Sequence, residues 1–265
     1  MTILLRAAAD KPHYQDDLWK EYRTDPPPKL PRFAEPKPSG TSFRFYCTFT
    51  LQSPFFSGRD RAGKEKQAGN EHDPTLNNHL CRDWISGSPL AKAGAWKRLF
   101  RTCWPKTAAD LDPLDRLFGP ESEDLETKKK KPGKAELKFH HAVFSPDSTG
   151  KALIAPRNSK TGKVSPGPIT YEVVNPKRKN PETDKDEPVC CTVVIDYLPR
   201  DLNADEAGKV LVSLHQAAEE ANNKSIGGKS GIWGRIRLTS YSINPGSKIS
   251  EAAVAEVRGQ CPETT

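Results

Sequence analysis

The sequence predicts an α+β fold, because both strand and helix periodicities occur along one chain. Residues 42–53 alternate apolar and polar side chains, the period-two pattern of a half-buried strand. Residues 204–222 instead repeat apolar side chains at helical spacing. The apolar positions are Phe43, Phe45, Cys47, Phe49 and Leu51 in the strand, and Val210, Leu211, Leu214, Ala217, Ala218 and Ala221 in the helix.

Further elements complete the predicted order. Ser88 is a candidate helix cap and Pro89 suits a first helical position, so we expect a helix from there through Cys103. A short element ends at Gly119, and strands are predicted over residues 135–144, 189–198 and 232–241. The order is strand, helix, strand, insertion, strand, helix, strand. That order predicts a ferredoxin-like core of the kind found in RNA-recognition folds.

Large loops surround this core. Residues 1–41 are rich in proline and predict an extended arm, and residues 57–80 form a long polar loop without periodicity. Residues 145–188 fit an irregular or hairpin insertion better than core. We therefore expect one domain over residues 42–243, followed by a tail over residues 244–265.

Composition favours an acidic partner. The chain has 41 Lys and Arg against 34 Asp and Glu, a net charge of +7 and a pI near 9.0, which suits RNA or DNA; the alternative is an indifferent basic surface. Six cysteines without a repeated C-x-x-C pattern indicate neither a disulfide framework nor a structural zinc site. No apolar run approaches the ~20 residues that span a bilayer, so we expect a cytoplasmic protein with no membrane contact.

A glycine-rich stretch carries the clearest chemical signal. Ser225 to Leu238 holds four glycines together with Lys229, Trp233, Arg235 and Arg237. Glycines let the backbone approach a phosphate, the cations supply charge, and the indole supplies a stacking face. The spacing matches neither a Walker loop nor a dinucleotide fingerprint. Nucleic acid is therefore the expected ligand.

Five segments also support a family resemblance. The stretch Gly227-Gly228-Lys229-Ser230-Gly231-Ile232-Trp233-Gly234-Arg235 resembles the glycine-rich loop of the RAMP superfamily, the RNA-binding proteins of CRISPR effector complexes. The other segments, in the family's order, are residues 51–58, 84–90, 117–119, and 155–163 with 169–174.

The resemblance implies a backbone-type subunit of a type III CRISPR ribonucleoprotein, which acts in antiviral defence. Such a subunit binds guide RNA, pairs it with target RNA and assembles with other effector subunits, and a thumb hairpin, placed here within residues 155–190, interrupts the duplex. The candidate RNA-binding residues are Ser88, Lys92, Lys97, Arg157, Lys160, Lys163, Gly227, Gly228, Lys229, Ser230, Trp233 and Arg235.

The same resemblance implies a candidate catalytic residue. Backbone subunits cut target RNA with an aspartate on the loop after the first strand, and Asp73 occupies that place. A carboxylate there could hold Mg²⁺ or Mn²⁺ or help to deprotonate the attacking 2′-hydroxyl. Weaker candidates are His72, Asp60 and Asp83, with His79 as a further acid or base; the set His72, His79 and Cys81 could instead bind zinc.

Alternatives remain at this point. Asp73 precedes a proline and could simply start a turn, and a capping subunit of the same complex would bind RNA without cutting it. A guide-processing endoribonuclease of the superfamily is a second alternative, although its histidine would have to be His13 in the arm. An interaction protein without RNA is a third.

Overall fold

The computed structural model describes residues 38–58, 79–83, 85–106, 114–119, 134–154, 169–180, 182–200, 203–227 and 233–259. The predicted arm of residues 1–41 lies outside these ranges apart from its last four residues. In chain order the elements are β1 (Phe43–Leu51), β2 (Leu90–Ala91), α1 (Ala93–Thr102), α2 (Leu114–Phe118), β3 (Leu137–Phe139), β4 (Ala142–Val143), β5 (Thr149–Ile154), β6 (Ile169–Val174), β7 (Lys177–Lys179), β8 (Asp186–Pro188), β9 (Cys190–Tyr197), α3 (Ala204–Glu220), β10 (Ile236–Pro245) and α4 (Glu251–Arg258).

Four strands form one antiparallel sheet in the order β10-β1-β9-β3. Strand β1 lies in the interior of this sheet: it pairs with β10 from Phe43↔Pro245 to Leu51↔Ile236, and with β9 from Phe43↔Tyr197. A register shift after Thr48 marks a bulge against β10. The predicted α+β class with its first strand over residues 42–53 is confirmed.

The core lies between the sheet and the helices. The predicted inner face of β1 is buried throughout, with Phe45, Cys47 and Phe49 at 0% exposure. Phe49 stacks on Trp96 of α1, with their ring centroids 5.3 Å apart. Each such buried aromatic side chain contributes about 1.5–3 kcal/mol through apolar burial alone. The strand pattern therefore correctly identifies the face that packs on the helices.

Helix α3 confirms the predicted helix of residues 204–222 almost to its ends. The Asn203 side chain caps it by accepting hydrogen bonds from the backbone N–H groups of Asp205 and Glu206. Two acidic residues in the first turn also suit the positive end of the helix dipole. The helix ends at Glu220 with Ala221 as its C-cap, and Asn223 follows with a positive φ of 63°.

The segment of residues 244–265, expected as a tail, contains helix α4. Val254 and Val257 of this helix are buried, and the Tyr241 hydroxyl donates a 2.7 Å hydrogen bond to the Val257 carbonyl. Tyr241 also packs edge-on against His215 of α3, with centroids 4.6 Å apart. Helix α4 thus packs with α3 and β10.

An ion cluster on the opposite face of the sheet links three strands. Arg44 of β1 donates to both carboxylate oxygens of Asp196 on β9, at 2.5 and 3.1 Å. The His140 Nε2 atom, next to β3, lies 2.8 Å from Asp196 Oδ2. Burial raises the pKa of Asp196, but Arg44 and His140 outweigh it and hold the pKa below its ordinary value.

The start of α1 corrects one prediction. The helix begins at Ala93 with Lys92 as its N-terminal flanking residue, not with Ser88 and Pro89. Residues 88–91 are extended because they pair on both sides: Pro89 bridges Arg82, and the Leu90–Ala91 strand pairs with Ala142–Val143. Tertiary pairing here overrides a favourable local cap.

Two strand predictions are also corrected. The strand expected over residues 135–144 is broken into β3 and β4, which pair with different strands. The strand expected from residue 232 begins at Ile236 and continues to Pro245, because Trp233 and Gly234 form a turn. The helix and strand predictions failed where long-range pairing decides the backbone path.

The described residues of the 145–188 insertion include two antiparallel strand pairs, β5–β6 and β7–β8. Its hairpin character is confirmed, but its exclusion from the core is wrong, because Tyr171, Val173 and Val174 are buried at 0–5% exposure. Among the described residues, no helix is long and apolar enough to cross a membrane.

Candidate nucleic-acid interface

Three of the described candidate residues, Gly227, Trp233 and Arg235, lie around the chain that follows β1. We call residues 52–58 the post-β1 segment. It bridges Val174 of β6 through Phe55, and Leu80 through Gly58. We call residues 225–235 the glycine loop. The described ends of this loop contact the post-β1 segment. Its residues 228–232, with Gly228, Lys229 and Ser230, lie outside the described ranges.

Backbone hydrogen bonds fix the described part of the glycine loop to the post-β1 segment. Gly234 N–H donates to the Pro54 carbonyl at 2.7 Å, and Arg235 N–H donates to Ser53 Oγ at 2.9 Å. Across the loop, Ile226 N–H donates to the Gly234 carbonyl at 2.8 Å. The two ends of the loop are therefore held together on a common support.

Two positions of this loop require glycine. Gly227 has φ +61°, and a Cβ added there would lie 2.9 Å from the Phe56 carbonyl oxygen. Gly234 has φ +71°, and its Cβ would lie 2.0 Å from the Ile226 carbonyl oxygen. Both conformation and space exclude a side chain at Gly234. These two glycines, together with the Ile226–Gly234 hydrogen bond, fix the described ends of the loop close to each other.

Trp233 and Arg235 differ in their surroundings. Trp233 is half-buried and meets Tyr171 of β6 edge-to-face, with centroids 5.8 Å apart and an interplanar angle of 88°. Tyr171 meets Phe56 in the same manner at 5.1 Å. Arg235 is exposed. Part of the indole surface predicted to stack on bases is thus occupied by protein, whereas the guanidinium of Arg235 faces solvent.

Strand β6 of the hairpin β5–β6 pairs with the same post-β1 segment. Phe55 and Val174 exchange two backbone hydrogen bonds of 2.9 Å. The connection between β5 and β6, with Arg157, Lys160 and Lys163, lies outside the described ranges. The base of the predicted thumb and the glycine loop are consequently neighbours on the post-β1 segment.

Glu172 of β6 anchors the chain that returns from the long loop. Its carboxylate accepts a 3.0 Å hydrogen bond from Leu80 N–H, pairs with Arg82, and lies 3.4 Å from His79 Nδ1. Burial raises the pKa of Glu172, but the Leu80 amide, Arg82 and His79 outweigh it and lower the pKa overall. Sequence analysis missed this cluster, because its partners are about 90 residues apart and share no motif.

The other candidates on the 83–97 stretch have mixed environments. Asp83 Oδ2 accepts hydrogen bonds from the backbone N–H and hydroxyl of Ser86, at 2.8 and 2.7 Å, and so holds a turn. Ser88 is only 9% exposed, whereas Lys92 is half-buried at the start of α1. Burial, followed by the charge of Arg101, lowers the pKa of Lys97. Lys92 and Lys97 are both half-buried.

The metal hypotheses involve residues outside the described ranges. Asp73, His72 and Asp60 all lie there. Within the part of the chain that the structure describes, no three His, Cys, Asp or Glu side chains are arranged to hold a metal ion. His79 and Cys81 are described, and His79 is directed at Glu172.

No protein-family model matches the chain, and no curated protein matches it. Function therefore has to be inferred from the chemistry and geometry of the chain itself.

Proposed function

We propose that this chain is an RNA-binding subunit of the RAMP superfamily that holds guide RNA within a type III CRISPR effector complex. The observation that carries the proposal is the junction at the post-β1 segment. There a glycine loop with two required positive-φ glycines lies beside the base of a β-hairpin, and the resemblance implies both a glycine-rich loop and a hairpin. We propose further that the subunit works in the cytoplasm together with other effector subunits.

The sheet order supports a ferredoxin-like core. By their order in the chain, the four strands lie as fourth, first, third and second, and all neighbours are antiparallel. A helix follows the first strand and another follows the third. A ferredoxin-like core, which RNA-recognition modules use, would have this strand order and these two helix positions.

The chemistry of the glycine loop suits an RNA strand whose base sequence varies. A guide-binding subunit has to hold phosphate and 2′-hydroxyl groups without reading bases. A glycine-rich backbone can present N–H groups to phosphates, and Lys229 and Arg235 supply positive charge on the same loop. The net charge of +7 has the same sign as these local cations and attracts a polyanion.

Cleavage of target RNA is the second part of the proposal, and Asp73 is its residue. The carboxylate would act on the 2′-hydroxyl that attacks the neighbouring phosphate, with Mg²⁺ or Mn²⁺ as the expected ion. A capping subunit would share the glycine loop and the hairpin but leave target RNA intact.

Isolation of the protein with its bound nucleic acid tests the first part. A tagged copy expressed in its own host should co-purify with short RNAs that share a repeat-derived end and differ in the remainder, together with other proteins. An affinity-purified protein free of RNA, or one that carries RNA of random origin at the level of a tagged control protein, would contradict the proposal.

A further inference from the structure

The glycine loop and the hairpin β5–β6 share a row of three aromatic rings. Phe56 of the post-β1 segment contacts Tyr171 of β6, and Tyr171 contacts Trp233 of the loop. Both contacts are edge-to-face, with interplanar angles of 77° and 88°. Such pairs are favourable beyond the area they bury and depend on the relative angle of the rings. A displacement of the hairpin therefore changes the position of Trp233.

The backbone allows little independent movement around these rings. Trp233 immediately precedes Gly234, whose N–H is bound to the Pro54 carbonyl and whose Cβ position is closed by Ile226. Val174, three residues after Tyr171, is bound to Phe55 in both directions. Loop and hairpin are thus attached to adjacent residues of one segment, and the aromatic row joins them a second time.

Tyr171 itself cannot contact RNA through its ring to any useful extent. It is only 5% exposed, whereas Trp233 is half-buried and Arg235, two residues on, is exposed. An effect of Tyr171 on RNA binding must therefore pass through other residues. Because Tyr171 is buried, a change in RNA affinity on its substitution indicates a positioning role and not a direct RNA contact.

We propose that Tyr171 is a positioning residue that holds Trp233, and with it the exposed Arg235 two residues on, in the arrangement that binds RNA. The inference rests on the proposed RNA-binding function. It assigns to Trp233 a packing role towards the hairpin in place of a purely base-stacking role. The ligand is a single-stranded RNA whose backbone contacts Arg235 beside this row of rings.

A double-mutant cycle on RNA affinity tests this coupling. Tyr171→Leu and Trp233→Leu should each weaken binding of a single-stranded RNA of mixed sequence by roughly two- to tenfold, which is the value of one aromatic pair. The double variant should lose no more than the weaker-binding single variant, because both changes remove the same contact.

A matched control variant shows how much of the change in RNA affinity comes from general damage to the core. Phe118 of α2 makes a comparable edge-to-face contact with Trp104, at 5.2 Å and 85°, and is fully buried. Phe118→Leu should lower stability but leave RNA affinity unchanged. If Tyr171→Leu does not fold, the unbranched Tyr171→Met takes its place in the cycle.

Hydrogen exchange provides a readout that needs no RNA. The amides of Ile226 and Gly234 should exchange faster in Tyr171→Leu than in Phe118→Leu at equal global stability. Wild-type protein without RNA affinity would contradict the proposed function, while faster exchange would still support the positioning role. Losses that multiply in the double variant, or unchanged RNA affinity in folded Tyr171→Leu, would overturn the inference.

Discussion

Gly234→Ala is the sharpest perturbation of the glycine loop. Gly234 has φ +71°, and an added Cβ would lie 2.0 Å from the Ile226 carbonyl oxygen. The left-handed conformation alone costs an L-residue about 1–2 kcal/mol. Relief of the clash has to move Ile226, whose N–H donates to Gly234, and a weakened hydrogen bond costs a further ~0.5–1.5 kcal/mol. We therefore expect a loss of roughly 2–3 kcal/mol in the free energy of unfolding.

Chemical denaturation with a matched glycine measures this loss. Gly94, in the first turn of α1, has nothing within 4 Å of its Cβ position, so Gly94→Ala should be neutral or stabilise by up to about 1 kcal/mol. Gly234→Ala should show a lower denaturation midpoint and weaker RNA binding, with an unchanged far-ultraviolet spectrum. Equal midpoints for the wild type and Gly234→Ala would refute the strained-loop argument.

Three further predictions concern other regions. Burial lowers the pKa of His215, although Glu219 and Glu256 oppose the shift. The unfolded chain therefore binds more protons than the folded protein below about pH 6.5. The free energy of unfolding should fall on acidification through that value, and it should fall less in His215→Gln. A comparison of unfolding free energies at pH 7.5 and pH 5.5 would contradict this if both proteins changed equally. Asn203→Ala removes the cap of α3 and should cost about 1 kcal/mol in thermal unfolding, while Asn203→Asp should not; equal stability of the alanine variant would show that the cap is dispensable. Asp73→Ala should bind target RNA normally but abolish cutting by the assembled complex, as chelation of Mg²⁺ should; cutting at the wild-type rate would leave a non-catalytic backbone or capping subunit.

The elements that sequence analysis predicted well are those with a local cause. The alternation from Phe43 to Leu51 reflects the two faces of a single strand, and the apolar spacing of α3 reflects one helix face. Asn203 adds a cap that requires only the next three residues. The pattern that identifies each element lies within its own residues.

The elements that it missed depend on partners far away in the chain. Pro89 looks like the start of a helix, but its bridge to Arg82 and the pairing of Leu90 with Val143 keep the chain extended. In the sequence, nothing distinguishes Glu172 from other hairpin residues. Its contacts with Leu80 and Arg82 form only in the folded chain. No local pattern identifies such contacts.

The candidate site also combines features with a local cause and features that depend on distant partners. The glycines of the loop were recognised from composition, and the structure explains two of them by φ and by space. The role of Trp233 could not be predicted, because its partner Tyr171 belongs to an insertion that appeared to lie outside the core. An aromatic side chain beside glycines and cations fits both base stacking and packing.

The most direct test of the central claim is the salt dependence of RNA binding by the glycine loop. Lys229→Ala with Arg235→Ala should weaken binding of single-stranded RNA and flatten the slope of log affinity against log salt by about 0.7 per lost phosphate contact. The control pair, Lys209→Ala with Lys248→Ala, removes two exposed lysines on α3 and after β10, and should leave the slope unchanged. An unchanged affinity and slope in the loop variant, or an equal change in both pairs, would contradict the assignment of this loop as the RNA-binding site.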